Sequence, residues 1–315
     1  MSTSSCPLEG NPDLYGLGIR IGIYIQMLTV QLSGILSAYF QVEDNIGQGT
    51  IIFVLSTAIV LVRLVNASVN GGNGGDDGRP VEPVEVFPLV TLLLLQVGVC
   101  RVSASNKTTL LIWTAELVGL TALFSWFWWH GMDLLPNSCP RDHDKAFFFA
   151  KVGIWGWYRS FNKATSVLAS VAASFALIAN VGTYIIFVVF AILRFARRRS
   201  DDQDSAVSKS DEDAPRNNIE ISIDLIVNIG AIVYVEMALR WNQISGVYSL
   251  DSPGQFMPFV IALGQLLSVF FSAAKYLLQW DANESLFDHD QDVLQCHHGD
   301  TGRWLRNDTE DIALT

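Results

Sequence analysis

Apolar residues gather into long blocks separated by short polar breaks. Residues 21–42 hold no Asp, Glu, Lys or Arg, and neither do 45–62, 86–100, 164–193 or 252–274. Wound as a helix, a run of about 18 or more such residues crosses ~30 Å of hydrocarbon. The pattern predicts seven spans, at 17–40, 50–69, 83–101, 108–129, 165–193, 221–240 and 256–280. Pro83 and Pro88 shorten the clean helical part of the third. Asp224 and Glu236 weaken the sixth, so six spans is the rival count.

Composition agrees with a membrane protein. Half of the 315 residues are hydrophobic and 16 % are charged, against about 25 % charged in a soluble domain. The expected fold class is all-α, a polytopic helix bundle whose first partner is the lipid bilayer. Arg and Lys of the connections set its orientation. Arg194, Arg197, Arg198 and Arg199 follow span five, and Arg101 and Lys107 follow span three. With seven spans both groups share one side, which places the amino terminus outside and the carboxyl terminus in the cytoplasm. Five basic residues in 141–163 run against that rule, which weakens in long connections. The first span exceeds the ~7–15 apolar residues of a signal peptide and lacks a basic n-region, so it reads as an uncleaved anchor.

The net charge of −11 is unevenly spread. Residues 281–315 carry nine acids against Arg303 and Arg306. That tail argues against nucleic acid, which needs a basic footprint, and its polarity predicts a mostly disordered cytoplasmic segment. The loops 70–82 and 199–218 read as flexible linkers. The second of these and the tail are candidate sites for cytoplasmic partners, and its serines could accept phosphate. In 144–163, Phe147, Ile154 and Phe161 recur every seven residues opposite Lys145, Arg159 and Lys163. This predicts an amphipathic helix in the membrane interface, either as an aromatic belt or as a lid over an outward cavity.

Arg20 breaks the first apolar block. At 100° per residue it shares a narrow arc with Asp13, Tyr24 and Gln31, a set that a lipid-facing stripe would not hold. Gly18 and Gly22 form a small-xxx-small pair that admits a close neighbour. Ionisable groups inside a membrane face the interior and pair. Matching depths predict Arg20 with Glu236 and Asp224 with Lys275, while Glu116 has no evident partner. The candidate ligand seam is therefore Arg20, Tyr24, Gln31, Glu116, Asp224, Glu236 and Lys275, from spans one, four, six and seven. Cys6 and Cys139 fall on the outer side and are candidates for a disulfide. Cys296, His297 and His298 match no metal-ligand spacing, and no P-loop, Rossmann fingerprint or catalytic triad is present. No metal site or cofactor is expected.

The amino-terminal CPLEGNPDLYGLGIRIGIYIQ, residues 6–26, resembles a set of multi-pass membrane proteins of filamentous fungi that share NPDLYGLGIRIGIY. The resemblance covers under a tenth of the chain and carries over no activity or site residue. It implies a fungal multi-pass protein with this leader at its functional centre. The span count is similar to that of heptahelical receptors, but VCRVSAS stands where they carry Asp-Arg-Tyr, and Asn-Pro-x-x-Tyr is missing from span seven. Membrane terpene cyclases of fungi also have seven spans and rely on carboxylates, a role open to Glu116 and Asp224. The leading expectation is a receptor-like or transporter-like protein for a small polar or lipophilic ligand. The alternatives are a membrane-embedded cyclase or isomerase acting through Glu116, or a scaffold using its cytoplasmic loop and tail.

Overall fold

The computed structural model describes residues 8–40, 46–71, 80–100, 107–141, 143–198, 218–250 and 253–301. Among them the elements run β1 (Leu8–Glu9), α1 (Pro12–Tyr15), α2 (Leu17–Phe40), α3 (Ile46–Val69), α4 (Pro83–Val99), α5 (Lys107–Trp126), a π-helical turn (Phe127–Gly131), α6 (Met132–Leu134), β2 (Lys145–Phe148), β3 (Ala150–Gly153), α7 (Trp157–Arg198), α8 (Asn218–Trp241), β4 (Ile244–Ser245) and α9 (Pro253–Thr301). The architecture is a helical bundle. Six of its helices are long and apolar enough to cross a membrane. The apolar α4, at 17 residues, is shorter.

α4 stands at the centre, packed against α2, α3, α5 and α8. Val84, Phe87, Val90, Leu93 and Val97 are all buried, as are Leu89, Leu92 and the polar Glu85 and Gln96, so it is covered on nearly every face, as a helix inside a bundle must be. The two prolines do not break it. Pro83 occupies the first helical position, where its missing N–H is not needed, and Pro88 lies early enough for the helix to continue to Val99. Ahead of it, Glu82 and Glu85 form a reciprocal capping box.

α2 packs most extensively on α9. The small pair makes this contact possible. A Cβ at Gly18 would lie 2.4 Å from the Gln255 carbonyl oxygen, and one at Gly22 would lie 2.9 Å from the Pro258 carbonyl. Without side chains at these two positions the helices approach backbone to backbone. α5 packs on α7 through Ser125, whose hydroxyl lies 2.9 Å from that of Ser170.

At one end of the bundle, the head, short elements tie the helices together. β1 pairs in parallel with β4, Leu8 opposite Ile244. β2 and β3 form an antiparallel hairpin, Phe148 opposite Ala150. The interfacial helix expected over 144–163 is thus a hairpin followed by the start of α7. KAFFFAKV, residues 145–152, is rich in aromatic side chains that favour a pleated surface. Asn242 at the end of α8 also fixes it as a strand. Its Oδ1 accepts the Lys145 N–H at 2.7 Å, and its Nδ2 donates to the Lys145 carbonyl at 2.7 Å. The seven-residue recurrence of Phe147, Ile154 and Phe161 is a coincidence of spacing across two kinds of element.

A second correction concerns the tail. α9 continues to Thr301, so 281–301 is helical rather than disordered. The helix is already nucleated within its apolar part, and extending it by residues such as Leu, Glu and Gln needs no new nucleus. The loop 199–218 lies outside the described residues except for Asn218, and most of 70–82 lies outside them too.

Candidate functional site

The leader motif folds onto the head. Asn11 precedes Pro12, which opens α1, and Gly16 separates this single turn from α2. The turn seats Tyr15 above α4. Its hydroxyl donates to Glu85 Oε1 at 2.5 Å, and the Asn11 N–H reaches the same oxygen at 3.3 Å. Glu85 Oε2 accepts the Glu82 N–H at 2.9 Å. One buried carboxylate thus caps its own helix and holds the leader.

One turn into α2 lies Arg20, only 1 % exposed. Its guanidinium is divided among three acceptors. Nε donates to the Tyr15 carbonyl at 3.0 Å and Nη2 to the Val247 carbonyl at 3.0 Å. Nη1 forms an ion pair with Glu236 of α8. The planar fork suits such divergent acceptors better than an ammonium would. The Tyr248 ring lies 5.1 Å from the guanidinium carbon and closes the remaining face. Tyr24, one turn further, donates to Glu236 Oε1 at 2.9 Å.

Glu236 differs from its partner in being 38 % exposed. It lines a groove of about 680 Å³ with Arg240, Gln243, Ser245 and Tyr248. Arg20 and Tyr24 bind the same carboxylate oxygen, Oε1, so they fix the orientation of the group while it borders the groove. Gln243 holds φ at 51° and Gly246 at 78°. These two left-handed residues turn the chain sharply beneath the groove and direct β4 back to β1. A non-glycine residue in that region is uncommon.

The seam expected from the sequence is rearranged. Arg20, Tyr24 and Glu236 come together. Arg20, expected to face a ligand, is consumed by protein acceptors and shielded from the groove. The side chain of Asp13 lies outside those described. Deeper in the bundle Gln31 is buried, and the Gln96 amide donates to Gln26 Oε1 at 2.9 Å. The Asn228 amide approaches the Met27 carbonyl at 3.5 Å. The polar interior therefore joins α2, α4 and α8. Span three takes the place expected for span four.

Asp224 and Lys275 form no ion pair with each other among the described residues. α8 packs on α2 and α4, whereas α9 packs on the far side of α2, and Lys275 is exposed. Matching depth was insufficient because the two helices are not packing neighbours. Glu116 is 8 % exposed, and neither carboxyl oxygen has a hydrogen-bond partner among the described residues. It lies twelve residues before Trp128, about 18 Å along the helix at 1.5 Å per residue. Trp128 contacts Phe87, which contacts Tyr234, two residues before Glu236. Glu116 is thus well removed from the Glu236 site. Cys139 is disulfide-bonded, and Cys6 lies outside the described residues. Cys100 is buried and is not in a disulfide. No cluster of metal-ligating side chains is found among the described residues.

Comparison with protein-family models, with curated proteins and with solved structures gives no match.

A second polar node supports the hairpin. Asp144 is buried and accepts from Trp155 Nε1 at 2.6 Å and from Asn137 Nδ2 at 3.3 Å. Burial pushes its carboxyl above the usual 3.8, against the opposing pull of these two donors. A raised native pKa means that the folded state holds the proton more tightly than the unfolded chain. The stability that this contributes is whole below about pH 4 and is lost as the pH rises through the raised value. Asp144→Asn keeps an acceptor for Trp155 and removes the titration. Its melting temperature is expected to fall less than that of the wild type between pH 4 and pH 7. Parallel profiles for the two chains would assign Asp144 no part in the pH dependence.

Proposed function

We propose that the protein is a receptor-like or transporter-like multi-pass membrane protein that binds a small polar ligand in the head groove. The reading rests on one observation, the half-exposed Glu236 carboxylate oriented by Arg20 and Tyr24 at the groove wall. A fixed carboxylate with Arg240 on the same wall suits a ligand carrying an amine, or an amine and an acid together. In this reading seven helices cross the membrane, α4 among them, with the leader and groove outside and α9 ending in the cytoplasm. Short as it is, α4 is sheathed by four other helices, which relieves it of spanning the lipid alone.

The test is a thermal-shift screen of the purified chain against small amines and amino acids. A ligand present at about 100 times its Kd stabilises the folded state by about 2.7 kcal/mol. The shift should appear in the wild type and vanish in Glu236→Gln, which keeps a hydrogen-bonding side chain without the charge. No shift from any amine, or an equal shift in the variant, would remove the reading. Reporters at the two termini, with protease added outside, test the orientation. Both termini on one side would exclude seven spans.

A second reading is favoured by Glu116. A buried carboxyl group with no hydrogen-bond partner among the described residues is suited to donate a proton to a lipophilic substrate. In that reading Glu116→Gln abolishes turnover and leaves folding and groove binding intact.

A further inference from the structure

The β2–β3 hairpin ends in a residue that water does not favour. Phe149 is 92 % exposed and holds φ at 54°. Left-handed backbone suits Gly or Asn, and a bulky side chain there is an outlier. Strain and apolar exposure thus coincide at one position.

The surroundings of Phe149 are apolar and continuous with α7. Its ring lies 5.4 Å from that of Phe148, which in turn lies 5.4 Å from Trp157 and 5.5 Å from Phe161. Trp157 and Phe161 open a stripe on α7 that continues through Leu168, Val171, Phe175 and Ile178, all exposed. This stripe belongs to a helix whose residues Trp157–Arg194 are long and apolar enough to cross a membrane. With α7 crossing the membrane, the hairpin would sit where the outer surface of that helix emerges from hydrocarbon.

Basic groups lie on the hairpin and on the segments that flank it. Lys145 and Lys151 lie on the hairpin itself. Lys163 Nζ lies 5.1 Å from the Trp129 ring centroid, and the Arg141 guanidinium 4.3 Å from that of Trp155. The acids nearby are engaged: Asp133 pairs with Arg159, and Asp144 is buried against Trp155. An apolar tip with a cationic collar matches the two layers of a phospholipid interface, acyl chains beneath and phosphates above.

We infer that the β2–β3 hairpin is a membrane-interface anchor, with Phe149 inserted among the acyl chains and Lys145, Lys151, Lys163 and Arg141 facing phospholipid phosphates. The inference rests on the reading of α7 as a membrane-crossing helix. The strained conformation of Phe149 holds the ring clear of the protein so that it can enter lipid.

The test places an environment-sensitive fluorescent amino acid at position 149, or at position 168 as a reference, in the full chain in phosphatidylcholine nanodiscs. Quencher-labelled lipids then report depth. Probes at both positions should be quenched, with the one at 149 responding more to a quencher near the headgroup and the one at 168 more to a quencher deep in the chain. Replacing a quarter of the lipid with phosphatidylserine should strengthen quenching at 149 by up to twofold, and Lys145→Glu combined with Lys151→Glu should abolish that gain. If 168 is quenched and 149 is not, the anchor is wrong and α7 still crosses the membrane. If neither is quenched, the membrane reading of α7 fails first. Emission at 149 that shifts with protein concentration and ignores the quenchers would assign the tip to a second copy of the chain.

Discussion

Arg20→Met is expected to destabilise the folded protein by about 3–5 kcal/mol, the usual cost of removing one partner from a buried ion pair. The methionine fills much of the space but donates nothing. The Tyr15 and Val247 carbonyls lose their donors, and the Glu236 carboxylate loses its counter-ion. Glu236→Gln should cost about 2–3 kcal/mol: its amide oxygen still accepts a hydrogen bond, but the buried Arg20 guanidinium loses its counter-ion. Arg20→Lys falls between them, since one ammonium cannot reach three acceptors set around a planar fork. The four chains would be compared by denaturant unfolding in detergent micelles. A Met variant within about 0.5 kcal/mol of the wild type, no more than an ordinary surface substitution costs, would mean that the clamp contributes nothing. Exchanging the two charges is not expected to rescue either single variant. A glutamate at position 20 would face two carbonyl oxygens.

Glu85→Leu is expected to cost about 3 kcal/mol, for a different reason. Three donors converge on this carboxylate: the Tyr15 hydroxyl, the Asn11 N–H and the Glu82 N–H. Leucine would leave them buried without that acceptor, at about 1–3 kcal/mol for each group that fails to find another. Glu85→Gln should lose less, about 1–2 kcal/mol, because one side of an amide still accepts. Arg20 and Glu85 both hold Tyr15, one through its carbonyl and the other through its hydroxyl. Their effects should therefore fall short of additive in the double variant, as expected for groups sharing a partner. Full additivity would mean that the leader is not released as one unit. Hydrogen exchange at residues 8–16 should rise early in both single variants.

The helices were legible because the bilayer imposes a simple grammar: long apolar runs with charge pushed to the ends. α2 occupies the span expected for it, residues 17–40. The Gly18–Gly22 contact was also legible, because close helix packing leaves few other uses for that pair. The centre of the bundle was harder to read. Pro83 and Pro88 suggested a weakened span, whereas E-P-V-E at 82–85 contains a proline start and a capping box. That pattern was the available signal for Glu85. The hairpin was missed because its turn carries Phe149 in place of Gly, Asn or Pro, the residues that mark turns. Asp224 and Lys275 show the limit of depth matching: hydropathy gives height in the membrane but not which helices are neighbours.

Arg20 and Glu236 lie 216 positions apart in the chain. At 5–20 residues per second, a ribosome needs roughly 10–40 s to pass from one to the other. Throughout that interval α2 carries a cation whose counter-ion has not been made. β1 likewise waits for β4, and Gly18 for Gln255. The segment that carries β1 and Arg20 is thus made long before the elements that hold it, and is among the last to find its place. A nascent chain that stops before α8 cannot close its head, and it presents an unpaired guanidinium to whatever machinery inspects unfinished membrane proteins.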